Sequence, residues 1–346
     1  MPTATLASGA FIKPKPSPYS KEQVIQWLIA IEFDAHSENG RSPGALPPPT
    51  VENLFIITRL HLLAFPFETT PIHYSPEHCM DVTPEGLYQR LVVRRNGSFC
   101  YGLNGLLFGM LLGLGYRAYA GQARSNSNFG KDQPIYWHTS HMVIFVQPIP
   151  DSNVTYLVDD GFGGYGLTKP ILLSDEESNV VQGLGPLFKH RLRRAVHPQA
   201  STDSPDWVLE TINENKDGDQ GPRWNQVYTF SETEYFQCDF EAMSHFVSAS
   251  PPDPKSRFST LRDLMLLKKH TWLEDEPNVP VADRKLGGYV IIGQTLKRVG
   301  AQELEVIREI ETEEERIELI KKYFDVDVDQ DGIDHVRGRK VALVQA

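Results

Sequence analysis

An α+β fold with its helices first is predicted by three features of this sequence. Apolar residues recur at a helical period through the first third, the period changes to two from Arg117, and a helical pattern returns from Gln302 to Phe324. In chain order, residues 1–19 carry Pro, Ser and Lys and are predicted to form a loose arm. Ser20-Lys-Glu-Gln has the character of a capping box, and Val24, Trp27, Leu28 and Ile31 give the helix that follows one apolar face. Gly40 to Pro49 reads as a loop. Val51 to Phe65 is again helical, with Leu54, Ile57, Leu60 and Ala64 on one side. Pro84 to Val92 is a third helix, and Cys100 opens a fourth.

Strand patterns follow at Tyr119–Arg124, His141–Gln147 and Thr155–Asp159, separated by Gly, Asn, Asp and Pro turns. Pro170–Leu173, Leu187–Leu192 and Trp207–Thr211 continue the pattern, and Asn213–Arg223 is a polar, Gly-rich loop. A short helix is predicted from Ser231 and strands around Gly288–Ile292. The last helix, Gln302 to Phe324, would turn Leu304, Ile307, Ile310, Ile317, Ile320 and Phe324 inward and its Glu, Arg and Lys residues outward.

The chain of 346 residues is long enough for two or three domains, and 40% apolar with 23% charged residues suits a globular protein. A net charge of −11 argues against non-specific binding to nucleic acid or to an anionic membrane. Cys79, Cys100 and Cys238 form no disulfide framework and no Cys-x-x-Cys pair, so a reducing, cytoplasmic setting and no metal site are expected. The first twenty residues hold no apolar run of the secretory type. The longest apolar stretch, Leu103 to Tyr116, is about 14 residues and too short to span a bilayer.

Cys100 is the residue with the most chemical meaning. Turn-forming residues precede it and a buried helix follows, so it stands in a first helical turn, where the dipole favours a thiolate. His141 heads one strand pattern and Asp159 ends another. A thiol, an imidazole and a carboxylate are the set that activates a nucleophile and orients its base. A free cysteine is more often a small buried hydrophobe, so the triad order needs support from its flanks. Two other motifs are decoys. Gly161-Phe-Gly-Gly-Tyr-Gly166 matches a dinucleotide fingerprint, but Pro170 and no helical period follow it. Asp327, Asp329 and Asp331-Gly332 match the first half of a calcium loop, whose closing position is Gly338 rather than Glu.

The flanks supply that support. Asn96-Gly-Ser-Phe-Cys100 with Asn104, Thr139-Ser-His141-Met, and Val158-Asp-Asp-Gly-Phe-Gly163 resemble the three motif blocks of the arylamine N-acetyltransferases, most closely their fungal branch. His61-Leu-Leu-Ala-Phe-Pro-Phe-Glu68 resembles that family's Pro-Phe-Glu element. Cys238–Phe258 and Ile317–Asp325 resemble two later blocks. The resemblance covers roughly residues 20–325. It departs where the family's arginine, four residues before the cysteine, is Asn96, with Arg95 one step further off, and where the second motif glycine is Ser98.

The resemblance implies a helical bundle over 1–115 carrying Cys100, an antiparallel β-barrel over 116–225 carrying His141 and Asp159, and an α/β lid over 226–346, a core like that of cysteine proteases. It implies acyl transfer from acetyl- or malonyl-coenzyme A to the nitrogen of aromatic amines or hydrazines through a Cys100 thioester. Coenzyme A thioester would be a co-substrate, with no tightly bound cofactor, in a monomer or weak homo-oligomer. Phe67 and Phe162 would wall the acceptor site. Ser140 and the Gly163-Gly164 turn would approach the acyl or pantetheine portion. Arg124 would select a malonyl carboxylate if its strand borders the cleft. The same triad order also fits a cysteine hydrolase or transglutaminase-like enzyme, and a binding protein on this scaffold would keep the fold without the chemistry.

Overall fold

A computed structural model describes residues 4–36, 44–185, 188–213, 223–250, 261–300, 304–329 and 331–343. The first helix, α1 (Lys21–Ala30), opens on the capping box read from the sequence: Ser20 Oγ accepts from Gln23 N, and Gln23 Oε1 accepts from Ser20 N. A short α2 (Phe33–His36) and then α3 (Val51–Ala64), capped by Thr50, follow. After β1 (Phe67–Glu68) come α4 (Thr70–Tyr74) and α5 (Pro84–Leu87), the latter continued by a π-helical turn over Tyr88–Val93. The central helix, α6 (Cys100–Gly113), begins at the cysteine itself.

The barrel sheet runs in the order β5-β4-β3-β2-β9-β8-β7-β6, all antiparallel. Its strands are β2 (Arg117–Ser125), β3 (His141–Gln147), β4 (Tyr156–Val158), β5 (Ile171–Leu172), β6 (Val180–Gln182), β7 (Phe188–Val196), β8 (Pro205–Asn213) and β9 (Asn225–Phe230). The two edge strands approach each other: Asn179 Nδ2, beside β6, donates to Leu172 O on β5 at 2.8 Å. The period-two pattern has a direct consequence here. Ala118, Ala120, Met142, Ile144 and Val146 face the helical core around α6, while Tyr119, Ala123, Val143 and Phe145 fill the barrel interior. That two-sided cover is why every residue of β3 is buried.

The C-terminal region contributes α7 (Gln237–Ala249), β10 (Leu266–Trp272), β11 (Leu286–Ile292), β12 (Thr295–Val299), β13 (Leu304–Glu309), α8 (Glu313–Phe324) and α9 (Gly332–Val336). Its five-stranded sheet, β1-β10-β11-β12-β13, takes its edge strand from residues 67–68. α8 packs on β10 with Ile320 and Phe324 in a third core.

Several expectations are corrected. The pattern from Gln302 to Phe324 is not one helix: β13 precedes α8, and Gln302 lies outside the described residues. Val306 pairs with Lys297 and Ile307 is the extra residue of a bulge in this exposed edge strand, so Leu304 and Ile307 face solvent. Thr312 Oγ1 then accepts from Glu315 N and starts a new helix. The N-terminal arm is not loose. Leu6 and Ile12 belong to the barrel core, Thr5 bridges Val154, and Ile12 N donates to Gln147 Oε1 at 2.8 Å. Strand β9 runs past residue 225 to Phe230 as part of the barrel sheet. The loops predicted at 40–49 and 213–223 and the block at 238–258 fall partly outside the described residues. Gly161–Gly166 forms turns with no helix following, and Asp327 pairs with Lys321 at 2.9 Å.

Candidate active site

The site forms where α6 crosses the ends of β3 and β4. Cys100 is in the first turn of α6, and Asn104 lies one turn later on the same face. Asn104 Nδ2 donates to Met142 O at 2.7 Å and to Asp159 Oδ1 at 2.9 Å, and its Oδ1 accepts from Asp160 N at 2.8 Å. One amide thus ties the cysteine helix to both barrel strands. Gly161 is a glycine for a steric reason, since a Cβ there would stand 2.7 Å from Cys100 Cα.

The structure brings Cys100, His141 and Asp159 together, all buried. His141 Nε2 bonds Asp159 Oδ2 at 2.8 Å, which leaves Nδ1 for the hydrogen bond to Cys100 that helps hold the ring charged. Cys100 Sγ lies 3.6 Å from Ser140 O. The Asp159 carboxylate also accepts from Tyr228 OH at 2.9 Å, from Asn104 Nδ2 and from Gly161 N at 3.0 Å. Burial opposes charge on His141, but the Asp159 charge, its hydrogen bond and Cys100 outweigh it and raise the imidazole to about 10. Burial likewise opposes the Asp159 carboxylate, and His141 with the Asn104 and Gly161 donors lowers it below its ordinary value. Tyr228 is pushed well up by burial and by Asp159, so its phenol stays a donor. This arrangement favours an imidazolium at His141 beside the Cys100 sulfur.

The other expected residues divide. Phe162 stacks edge-on against the His141 ring at 5.0 Å, and Phe67 packs on the glycine turn, where a Gly163 Cβ would stand 2.9 Å from its ring. Ser140 touches the cysteine through its carbonyl. Gly164 is exposed, and a Cβ there would meet only the Phe162 ring, at 3.8 Å. Arg124 makes no hydrogen bond or ring contact with the triad among the described residues. It lies at the exposed end of β2, on the face opposite Ala123, the partner of His141, and Nη1 donates to Trp137 O at 2.6 Å.

Three residues of the site were not found in the sequence. Arg90, not Arg95, forms the ion pair with the fully buried Glu68, and its Nε donates to Gly97 O at 2.7 Å in the turn before Cys100. Arg95 adopts φ 63° and stacks on Phe65 instead. Ser98 needs no positive φ. Tyr228 sits on β9, whose Val-Tyr-Thr-Phe pattern was the available signal. Lys268, on β10, is buried and donates to Gly164 O at 2.7 Å.

Comparison with known proteins identifies related chains and folds. A family model described as N-acetyltransferase matches residues 50–333. The N-malonyltransferase FDB2 of Fusarium pseudograminearum is 29% identical over 79% of this chain and 77% of its own length. The arylamine N-acetyltransferase of Mycolicibacterium smegmatis is 32% identical over 59% of this chain and 66% of its own. Among solved structures, the Mycobacterium marinum arylamine N-acetyltransferase in complex with CoA matches with TM-score 0.66 and 24% identity, covering 92% of this chain and all of that one. The Nocardia farcinica arylamine N-acetyltransferase matches with TM-score 0.68, covering 90% and 92%.

Proposed function

Because the chain belongs to the arylamine N-acetyltransferase family, we propose that this N-acyltransferase moves an acetyl or malonyl group from coenzyme A to the nitrogen of an arylamine or hydrazine through Cys100. The observation that carries the reading is the buried Cys100–His141–Asp159 set, with Asp159 held by four donors. The Cys100 thiolate attacks the thioester carbonyl. Its new C–S bond forms as the bond to coenzyme A breaks, and the departing thiolate takes a proton from His141. The amine then attacks the acyl-enzyme. A C–N bond forms, the Cys100 C–S bond breaks, and the amine proton passes to His141, which restores the ion pair. Asp159 keeps Nε2 as the proton-bearing nitrogen throughout. Phe162 and Phe67 offer apolar walls to an aromatic acceptor, and the Gly163-Gly164 turn offers a close backbone approach to the donor. The resemblance to a relative named N-malonyltransferase supports the inclusion of malonyl.

Initial rates at several concentrations of both substrates test the reading. Parallel double-reciprocal lines and loss of more than about three orders of magnitude in Cys100→Ser are expected. Intersecting lines, or a Cys100→Ser variant within tenfold of wild type, would contradict it.

A further inference from the structure

Lys268 has a position that the reaction above does not use. It stands directly opposite Phe67 in the β1–β10 pair, so both side chains rise from the same face of the sheet. Both meet the glycine turn: Phe67 lies against Gly163, and Lys268 Nζ bonds Gly164 O. The ammonium is buried, and among the described residues it has no acidic partner. It borders a cavity of about 410 Å³ between the turn and the C-terminal sheet, walled by Phe188, Leu266, Val290 and Val299. The cavity is linked to the nucleophile by the glycine turn, whose Gly163 and Gly164 line it. A Cβ at Gly161 would stand against Cys100, and Gly164 is three residues on, at most about 11 Å away even for extended chain. A buried cation that the Asp159 charge reaches only through space, at the edge of an apolar cavity, fits a carboxylate on a short apolar body.

We propose that Lys268 pairs with a substrate carboxylate in this cavity, carried by a dicarboxylic acyl group such as malonyl or by the acceptor amine. The inference rests on the proposed acyl transfer and names its specificity residue. It gives that role to Lys268 in place of Arg124, whose guanidinium is tied to the Trp137 carbonyl.

The test compares kcat/KM ratios in wild type, Lys268→Met, Lys268→Gln and Lys268→Arg. One arm uses malonyl- against acetyl-coenzyme A with 4-chloroaniline. The other uses 4-aminobenzoate against 4-aminobenzamide with acetyl-coenzyme A. A fall of about 10- to 100-fold in the first ratio for both neutral variants, with Arg close to wild type, assigns the carboxylate to the donor. The same fall in the second ratio assigns it to the acceptor. Gln can still donate to Gly164 O, so wild-type ratios in Lys268→Gln would reduce Lys268 to a support for the turn and overturn the proposal. Transfer by wild type with unchanged ratios in every variant also overturns it. No transfer by wild type from either donor would instead defeat the proposed function.

If the neutral variants do not fold, wild type alone decides. Burial lowers Lys268 to about 8, with Asp159 opposing. Of the titratable groups that act on Lys268 or are acted on by it, Asp159 stays ionised, and burial keeps His190 and His270 neutral. The affected ratio should therefore fall as pH rises through about 8. Flat ratios in both arms would overturn the proposal.

Discussion

Asp159 shows how one side chain sets the chemistry of its neighbours. Its two oxygens accept from His141, Tyr228, Asn104 and Gly161, which uses its accepting capacity. Asp159→Asn turns one acceptor into a donor that faces donors, and frees His141 to take the other tautomer. Activity should fall about 10³- to 10⁴-fold with the fold retained. The check is kcat together with the rate of Cys100 alkylation near pH 6; an unchanged alkylation rate would show that Asp159 does not support the thiolate. Asp160 behaves in the opposite way. Among the described residues neither of its buried oxygens has a hydrogen-bond partner, and burial, then the Asp159 charge, raise it well above 3.8 while Arg59 partly compensates. A raised folded value means stability present below 3.8 and lost as pH climbs through that raised value. Asp160→Asn removes this titration. Its melting temperature relative to wild type should therefore improve as pH rises above 3.8 and level off once pH passes the raised folded value, with activity little changed. A constant difference would contradict the assignment. The triad was legible because each member sits at a pattern boundary: a helix start, a strand start and a strand end. Arg90, Tyr228 and Lys268 were not, because their partners lie 22, 69 and 104 residues away and only the fold joins them.

At the scale of elements, local pattern was a good guide wherever one face decides the matter. The Ser20 cap, α3, α6 and the alternation of β2 and β3 all follow from it. It failed at 302–324 because apolar spacing across a strand–turn–helix junction imitates a single helix. Thr312 was the cue, as a residue that caps better than it propagates. It failed also for the short β1, β6 and β12, which are fixed by their pairing partners rather than by their own residues. The Arg90–Glu68 ion pair links such elements: the π-helical turn, β1 and the loop that presents Cys100. Glu68 is fully buried and also accepts from Thr70 N and Oγ1. Arg90→Met leaves that charge without its cation and should cost about 3–5 kcal/mol, read as a lower urea midpoint at unchanged m. Adding Glu68→Gln should restore a large part of the loss. A single variant within 1 kcal/mol of wild type would show that the ion pair does not secure the turn.

Across the whole molecule, three regions contribute to the site. The helical core supplies Cys100, the barrel supplies His141 and Asp159, and the C-terminal sheet, joined to the helical region through β1, brings Lys268 beneath the glycine turn. None of the three holds the chemistry alone. The order of the helical and strand regions was readable from periodicity. The near-closure of the barrel was not, because it depends on contacts such as Asn179 to Leu172 between strands far apart in sheet order. No described helix is long and apolar enough to cross a membrane. The central claim is that these parts converge to make Cys100 an acyl carrier, and one measurement addresses it directly. The protein is mixed with acetyl- or malonyl-coenzyme A without any amine, quenched, and examined by intact and peptide mass spectrometry. The account predicts one acyl group per chain, located on Cys100, lost on addition of an aromatic amine and absent from Cys100→Ser. Turnover of donor and amine with no acyl group on Cys100, or an adduct that survives in Cys100→Ser, would contradict it.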